Sequence, residues 1–162
     1  AISEHVIGMM ITFCKNFKTY ALQMKEGNWL PSKQGKEIYH SRVCIVGYGD
    51  IGCEIAKSLK AFDCHITAIK RRVQKELPYV DEVATINDLD TILPQSDFVI
   101  LSLPQSKETI HIFNRDKLLK MKKDAVLINV GRGSAISNKD LIEVLNQGHL
   151  YGVGLDDVEE ES

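Results

Sequence analysis

The chain has 162 residues, of which 44% are hydrophobic and 26% are charged. A chain of this length forms one domain with a sizeable buried core, and we expect that domain to cover residues 1–162. Its 20 basic and 22 acidic residues give a formal net charge of −2, which excludes a globally basic nucleic-acid-binding protein. The longest apolar run, near residues 6–14, is far shorter than the roughly 20 residues of a membrane span, so no membrane partner is expected.

The cysteines and the chain ends bear on location. The 4 cysteines contain no CxxC pair, so we expect neither a metal site nor a redox dithiol. The sequence predicts buried, reduced thiols at Cys14, Cys44, Cys53 and Cys64, as in a cytoplasmic protein. No secretory leader pattern opens the sequence. Both ends look cut, because a helical pattern starts at once and an acidic run follows directly on the last apolar segment.

The predicted elements begin with a long amphipathic helix over residues 2–26. Its apolar residues recur in steps of three and four, and Gly27-Asn28 ends it. A polar connector over 28–41 leads to short apolar runs that alternate with helical segments. Strands are predicted at 42–46, 65–69, 78–84, 97–103, 125–129 and 151–155. Helices are predicted at 50–62, 86–93, 115–121 and 138–146, the last with Ser137 as its cap and Gly148 as its stop.

Several predicted strands are continuously apolar, among them residues 43–46 (VCIV), 98–101 (FVIL) and 125–128 (AVLI). Such runs are typical of strands that are buried on both faces of a parallel sheet. Alternation of strands and helices at this spacing predicts an α/β fold with a doubly wound parallel sheet.

A glycine-rich turn follows the first predicted strand. The pattern is GxGxxG, in which the first glycine permits a tight turn, the second lets the backbone approach a pyrophosphate, and the third lets the helix pack on the strand. The helix N-terminus then offers N–H groups to phosphates. The turn predicts a Rossmann dinucleotide-binding domain, and the alternative is a turn that serves packing alone. The cofactor-binding candidates here are Gly47, Tyr48, Gly49, Asp50, Ile51 and Gly52.

Three cations end the second predicted strand. An NAD-selective site needs Asp or Glu near position 70, to bind the ribose 2′-hydroxyl. The chain has Lys70, Arg71 and Arg72 instead, and these would bind a 2′-phosphate through charge-assisted hydrogen bonds. The sequence therefore favours NADP over NAD as the cofactor, with NAD as the second candidate. The alternative is a solvated basic turn.

Further motifs share their order and spacing with a known family. They include Ser3-Glu4-His5, Gly27-Asn28-Trp29, Ser96-Asp97-Phe98-Val99, Leu101-Ser102-Leu103-Pro104, Asn129-Val130-Gly131-Arg132-Gly133, Gly148-His149-Leu150 and Gly154-Leu155-Asp156. With the glycine loop, they make nearly the whole chain resemble the cofactor-binding domain of the D-isomer-specific 2-hydroxyacid dehydrogenases.

This resemblance implies roles for several residues. Arg132 is similar to the arginine that clamps the substrate carboxylate and polarises its keto oxygen, and the alternative is that it only pairs with an acidic neighbour. Asp156 matches the residue that orients the nicotinamide carboxamide. The remaining cofactor-lining candidates, near the adenine and nicotinamide pockets, are Leu103, Pro104, Val130 and Gly131.

The catalytic acid–base pair is the least complete part of the resemblance. Glu161 lies where the family has the carboxylate partner of its catalytic histidine, although the acidic run at 157–161 lacks the family's frequent proline. A register shifted by one residue and a plain surface acidic run are the alternatives. We expect the histidine beyond Ser162, and the substrate domain in segments before residue 1 and after residue 162. The chain alone is therefore expected to be inactive.

The activity implied for the parent protein is hydride transfer between a nicotinamide cofactor and a D-2-hydroxy acid or its 2-keto acid. An NADP preference would favour the reductase direction, as with glyoxylate or hydroxypyruvate. One alternative is a non-catalytic dinucleotide-sensing module like the family's corepressors, and another is a purely structural or dimerisation domain. The wide apolar stripe of residues 2–26 predicts a homodimer through that region.

Overall fold

The computed structural model describes residues 1–31, 35–73 and 76–158. Its strands are β1 (Arg42–Val46), β2 (His65–Lys70), β3 (Glu82–Thr85), β4 (Phe98–Leu101), β5 (Val126–Asn129) and β6 (Gly152–Leu155). They form one sheet in the order β3-β2-β1-β4-β5-β6, and every neighbouring pair is parallel. This order confirms the predicted doubly wound α/β fold of Rossmann type.

The described residues contain six α-helices. They are α1 (Ile2–Cys14), α2 (Phe17–Lys25), α3 (Asp50–Leu59), α4 (Leu89–Ile92), α5 (Arg115–Lys120) and α6 (Asn138–Asn146). The Ser137 side chain caps α6 by accepting a hydrogen bond from the Asp140 N–H, as the sequence predicts. Asn114 caps α5 in the same way.

The sheet separates two apolar cores. Within β1, Val43 and Ile45 pack into the core beneath α1 and α3, whereas Cys44 and Val46 pack into the core beneath α4, α5 and α6. Successive strand residues therefore enter opposite cores, which is why the strands are apolar without interruption. With both faces covered, the ends of the strands remain as the places where polar chemistry can collect.

The prediction of one helix over residues 2–26 is wrong. The helix breaks at Lys15-Asn16, because Asn16 has a left-handed backbone with φ of 56°. Asparagine tolerates this conformation better than most residues. The Tyr151 hydroxyl also donates to the Asn16 side-chain oxygen at 3.2 Å, which ties the break to the start of β6. α1 buries three side chains, whereas α2 buries none.

Other predicted elements have the right type but different bounds. The third strand begins at Glu82 rather than 78, because Tyr79 has a left-handed backbone with φ of 63° in a preceding turn. The helix predicted at 50–62 ends at Leu59 and continues as a 3₁₀ turn to Phe62. The helix predicted at 86–93 is divided into a 3₁₀ turn at Ile86–Asp88, the short helix α4 and a second 3₁₀ turn at Leu93–Gln95. Smaller differences of one or two residues occur at the ends of β4, β5, β6 and α5.

All four cysteines are free thiols. Cys14, Cys44 and Cys64 are buried as predicted, whereas Cys53 on α3 is partly exposed. Burial raises the pKa of Cys14 to about 11 and that of Cys44 to about 12, so both stay protonated at neutral pH. Within the described residues, no helix has the length and apolar content to cross a membrane, and no three His, Cys, Asp or Glu side chains group together to hold a metal ion.

Candidate functional site

The site lies where the strand order changes direction. The chain continues from β1 towards β2 and from β4 towards β5, so the loops after the adjacent strands β1 and β4 diverge. A crevice opens there, at the carboxyl ends of the strands. Two cavities of about 880 and 780 Å³ occupy it, and both are lined by Gly49, Ser102, Leu103 and Pro104. They therefore form one continuous cleft across the switch point.

The loop after β1 is fixed by the loop after β4. Gly47 has φ of 92°, and a Cβ at this position would lie 2.7 Å from the Ser102 carbonyl oxygen. The Ser102 hydroxyl donates to the Gly47 carbonyl at 2.5 Å, and the Gly47 N–H donates to the Ile69 carbonyl at 3.1 Å. Only glycine fits this combination of backbone angle and close contact.

The next two glycines differ in their surroundings. No atom lies within 4 Å of a Cβ built at Gly49, whose backbone faces the cleft at the start of α3. A Cβ built at Gly52 would lie 2.7 Å from the Gly47 carbonyl oxygen, so Gly52 serves helix packing behind the cleft. Open space at Gly49, next to the N–H groups of the first turn of α3, fits a pyrophosphate.

The larger cavity is lined by cations on its β2 side. Lys70 ends β2, and Arg71 and Arg72 follow it along the cavity wall. Arg71 forms an ion pair with Glu108 of the loop after β4, with 3.4 Å between Nη2 and Oε2. The pKa of Glu108 lies below its usual value because the Ser106 hydroxyl, a backbone N–H and Arg71 stabilise the carboxylate.

The smaller cavity contains Arg132, whose backbone is held by buried hydrogen bonds. The fully buried Asn129 side chain accepts from the Gly131 N–H and donates to the Arg132 carbonyl, both at 3.0 Å. The Gly133 N–H donates to the Asp157 carboxylate at 3.1 Å. The turn that carries Arg132 is therefore fixed on both sides, while the side chain itself is exposed at the cavity.

Asp156 lies in the same cavity, directly after β6. Its N–H donates to the Asn129 carbonyl at 3.0 Å, so its position follows from the sheet. Its Oδ1 atom lies 3.5 Å from Nε2 of His5 in the first turn of α1. Arg132 and Asp156 together place a cation and an anion at one end of the cleft. The cation suits a carboxylate, and the anion suits an amide N–H donor.

The structure brings most of the predicted site residues to this cleft. The larger cavity holds Gly47, Tyr48, Gly49, Lys70, Arg71, Arg72, Leu103 and Pro104, and the smaller one adds Asp50, Ile51, Val130, Gly131, Arg132 and Asp156. Tyr48 is only 8% exposed and its hydroxyl donates to the Pro78 carbonyl, so its side chain serves mainly the core. Burial raises the pKa of Tyr48. Glu161 lies outside the described residues.

Several residues at or behind the cleft were absent from the predicted site, among them Ser102, Asn129 and Glu108. Ser102 directly follows β4 and Asn129 ends β5, and both strands are otherwise apolar. A polar residue at the end of such a strand was a local signal that could have indicated both residues. Glu108 gave no such signal, because its approach to Arg71 depends on two loops that are 37 residues apart.

The comparisons with known proteins decide the family. Residues 7–162 match the family described as D-isomer specific 2-hydroxyacid dehydrogenase, NAD binding domain. The chain belongs to this family. A hydroxypyruvate reductase from Thermotoga maritima is 33% identical over an alignment of 162 positions, which covers 99% of this chain and 52% of that protein. A glyoxylate reductase from Pyrococcus furiosus is 40% identical over 173 residues, with 99% of this chain and 50% of that protein covered.

Solved structures of dehydrogenases share the fold. A D-isomer specific 2-hydroxyacid dehydrogenase family protein from Aeromonas salmonicida subsp. salmonicida A449 superimposes with a TM-score of 0.91 at 32% identity, over 98% of this chain and 51% of that one. An acyclic imino acid reductase in complex with NADPH and D-Arg superimposes with a TM-score of 0.89 at 26% identity, over 99% of this chain and 51% of that one. The chain thus spans about half the length of the dehydrogenases it matches. These relatives give the corepressor-like alternative no support.

Proposed function

We propose that this chain binds a nicotinamide dinucleotide in the switch-point cleft. Within the whole protein, it would serve hydride transfer between that cofactor and a D-2-hydroxy acid or its 2-keto acid. The observation that carries the proposal is the junction of the two cavities at Gly49, with cations at one end and Arg132 at the other. The family description supports the same function.

Each part of the cleft has a role in this proposal. Gly49 and the first turn of α3 hold the pyrophosphate through backbone N–H groups, while Gly47 shapes the turn. When bound, the nicotinamide cofactor supplies or accepts the hydride. Arg132 holds the substrate carboxylate and polarises the keto oxygen, where its fixed charge stabilises the negative charge that develops. Asp156 accepts a hydrogen bond from the nicotinamide carboxamide and so orients the ring.

Other residues shape the pocket and complete the proton transfer. Leu103 and Pro104 line both cavities and would shield the adenine and nicotinamide rings from water. Val130 lines the smaller cavity, where the nicotinamide would lie. We keep Glu161 as the carboxylate partner of a histidine supplied outside this chain. Residues 1–162 act in this proposal as the cofactor domain, and turnover requires the whole protein.

We propose NADP as the preferred cofactor and NAD as a second one. Lys70, Arg71 and Arg72 line the larger cavity at the end where an adenosine ribose would lie. The imino acid reductase is in complex with NADPH, whereas two solved D-lactate dehydrogenases are in complex with NAD, so the preference rests on the three cations alone. Charge-assisted bonds from one or two of these cations would favour NADPH over NADH by about 10- to 100-fold.

A fluorescence titration with NADPH and NADH at low and high salt tests this site. Tighter binding of NADPH, with a preference that shrinks at high salt, supports the cation site. Equal affinities for NADPH and NADH would show that Lys70, Arg71 and Arg72 form only a solvated turn. If the intact protein binds neither cofactor, the proposed dinucleotide site is overturned.

We propose short 2-keto acids, such as glyoxylate and hydroxypyruvate, as substrates of the whole protein in the reductase direction. The names of two relatives support this class. Steady-state rates of the intact protein with glyoxylate, hydroxypyruvate and longer 2-keto acids test it. Rates that rise with the longer acids would contradict the proposal.

We propose a homodimer through the region of residues 2–26. α2 buries no side chain, and Leu22 and Met24 are 53% and 75% exposed. Light scattering of the protein and of Met24→Glu tests this proposal, with a dimer expected for the first and a monomer for the second. The exposed Tyr79→Glu is the control, and a wild-type monomer at high concentration would overturn the dimer.

We propose the cytoplasm as the location, since the four free thiols suit a reducing compartment. Cell fractionation tests the location directly.

A further inference from the structure

The mouth of the larger cavity holds one carboxylate among three cations. Glu108, on the loop after β4, forms the 3.4 Å ion pair with Arg71, on the loop after β2. Lys70 and Arg72 line the same cavity. The pair therefore connects two loops that come from opposite sides of the switch point, across the space proposed for the adenosine ribose.

The turn that carries Glu108 is held by hydrogen bonds of its own residues. The Thr109 hydroxyl donates to the Pro104 carbonyl at 3.0 Å and accepts from the Ser106 N–H at 3.0 Å. The Ser106 hydroxyl stabilises the ionised carboxylate. Glu108 is thus an exposed carboxylate that its turn places opposite Arg71.

We propose that Glu108 is a specificity-determining residue that competes with a ribose 2′-phosphate for Arg71. The inference rests on the proposed function, because it requires a cofactor ribose between the two loops. A 2′-phosphate must displace the Glu108 carboxylate from Arg71 or share the Arg71 guanidinium with it, which weakens the contact of the phosphate with Arg71. The neutral 2′-hydroxyl of NADH meets no such competition. Glu108 therefore lowers the NADPH preference that the three cations create, so that both cofactors can be used.

The expected effect follows from the exposure of the pair. Arg71 and Glu108 are 75% and 76% exposed, and exposed ion pairs change an equilibrium constant by up to about fivefold. A 2′-phosphate carries nearly two negative charges, so removing the competing charge has a somewhat larger effect. Glu108→Gln should lower the Kd of NADPH by about 3- to 10-fold and leave the Kd of NADH unchanged.

The test is a titration of the intact protein with NADPH and with NADH at low salt. The variants are Glu108→Gln and, as a matched control, Glu143→Gln. Glu143 also pairs with an arginine, Arg115 at 2.9 Å, but between α5 and α6. The control therefore changes the net charge equally without touching the cleft. Arg71→Gln and the double variant with Glu108→Gln complete a thermodynamic cycle.

The cycle identifies the mechanism. Tighter NADPH binding in Glu108→Gln, absent in Glu143→Gln and lost in the Arg71→Gln background, supports the competition. An unchanged NADPH/NADH ratio, an equal effect of the control, or a gain that persists without Arg71 overturns it. Weaker NADH binding with unchanged NADPH binding also overturns it, since Glu108 would then bind the 2′-hydroxyl directly.

The failure of this inference and that of the proposed function give different results. If the wild-type protein binds neither cofactor, the proposed function fails and the inference fails with it. If the wild type binds both cofactors but Glu108→Gln leaves their ratio unchanged, only the inference is overturned. If the wild type shows no NADPH preference but Glu108→Gln creates one through Arg71, the inference stands and the proposed preference fails.

Discussion

The charged side chains at the two ends of the parallel strands, here called the amino edge and the carboxyl edge of the sheet, are arranged differently. At the amino ends of the strands, Asp97 accepts from the Arg42 N–H at 2.8 Å and from the Lys122 ammonium at 2.9 Å. Asp81 likewise accepts from the Ile66 N–H at 2.8 Å and from Lys60 at 2.5 Å. Each carboxylate joins a strand to a neighbouring segment, so this edge uses its charges for stability.

The carboxyl ends of the strands hold cations around open space. Among the residues that the structure describes, Arg71 forms an ion pair there, whereas Lys70, Arg72 and Arg132 form none. The backbone at Gly49 is open to the same cleft. Within the described residues, the two aspartates above are thus paired with lysines at the amino edge, whereas most of the cations at the carboxyl edge are unpaired around the cleft. Substitutions at the two edges should separate stability from binding.

The largest expected effect is at Arg132, on the carboxyl edge. Arg132→Met in the intact protein should lower kcat/KM by about 10³-fold or more, because the charge that stabilises the developing oxyanion is lost. The melting temperature should change little, since the side chain is exposed. Steady-state kinetics and thermal melts check both values. Activity close to that of the wild type would show that Arg132 does not contact the substrate.

Two glycine substitutions sharpen the comparison within one loop. Gly49→Ala places a methyl group in open space, so we expect unchanged stability and cofactor binding weakened by about 10-fold. Gly52→Ala places it 2.7 Å from the Gly47 carbonyl oxygen, so we expect a loss of about 1–3 kcal/mol in the free energy of unfolding. Denaturant melts and cofactor titrations measure both. A Gly49→Ala variant that binds the cofactor normally would contradict the proposed pyrophosphate position.

A smaller effect is expected at Asp97, on the amino edge. Although burial alone would raise it, the pKa of Asp97 lies below its usual value because the Arg42 N–H and the Lys122 ammonium stabilise the carboxylate. This stabilisation is complete above the pKa of the unfolded chain and is lost as the pH falls through the lower folded pKa. Asp97→Asn should cost about 1 kcal/mol at neutral pH and flatten the acid side of the stability profile.

The same variant should leave cofactor binding unchanged, because Asp97 lies at the opposite end of β4 from the cleft. Denaturation at several pH values and a cofactor titration check the two expectations. A large loss of affinity in Asp97→Asn would show that the two edges are coupled.

The features that could be predicted from the sequence are those set by residues close together along the chain. The continuous apolar strands predicted the sheet, and the glycine loop and the three cations after it predicted the side of the cleft next to β1 and β2. Arg132, Asp156 and the residues near them were instead named from the family resemblance. The helix break at Asn16 could not be predicted in this way, since the apolar periodicity runs through it and the Tyr151 hydroxyl comes from the far end of the chain. The role of Glu108 also depends on a partner, Arg71, that only the fold brings close to it. Local patterns thus located the cleft, and long-range contacts determine how its charges are held.

The most direct test of the account compares the two edges in one spectrum. We would record backbone amide resonances of the ¹⁵N-labelled protein while adding NADPH. The account predicts shifts at Gly47–Ile51, Lys70–Arg72 and Val130–Arg132, with none at Asp97 or Lys122 on the amino edge. Shifts concentrated at the amino edge, or none at the glycine loop, would contradict a dinucleotide site in the switch-point cleft.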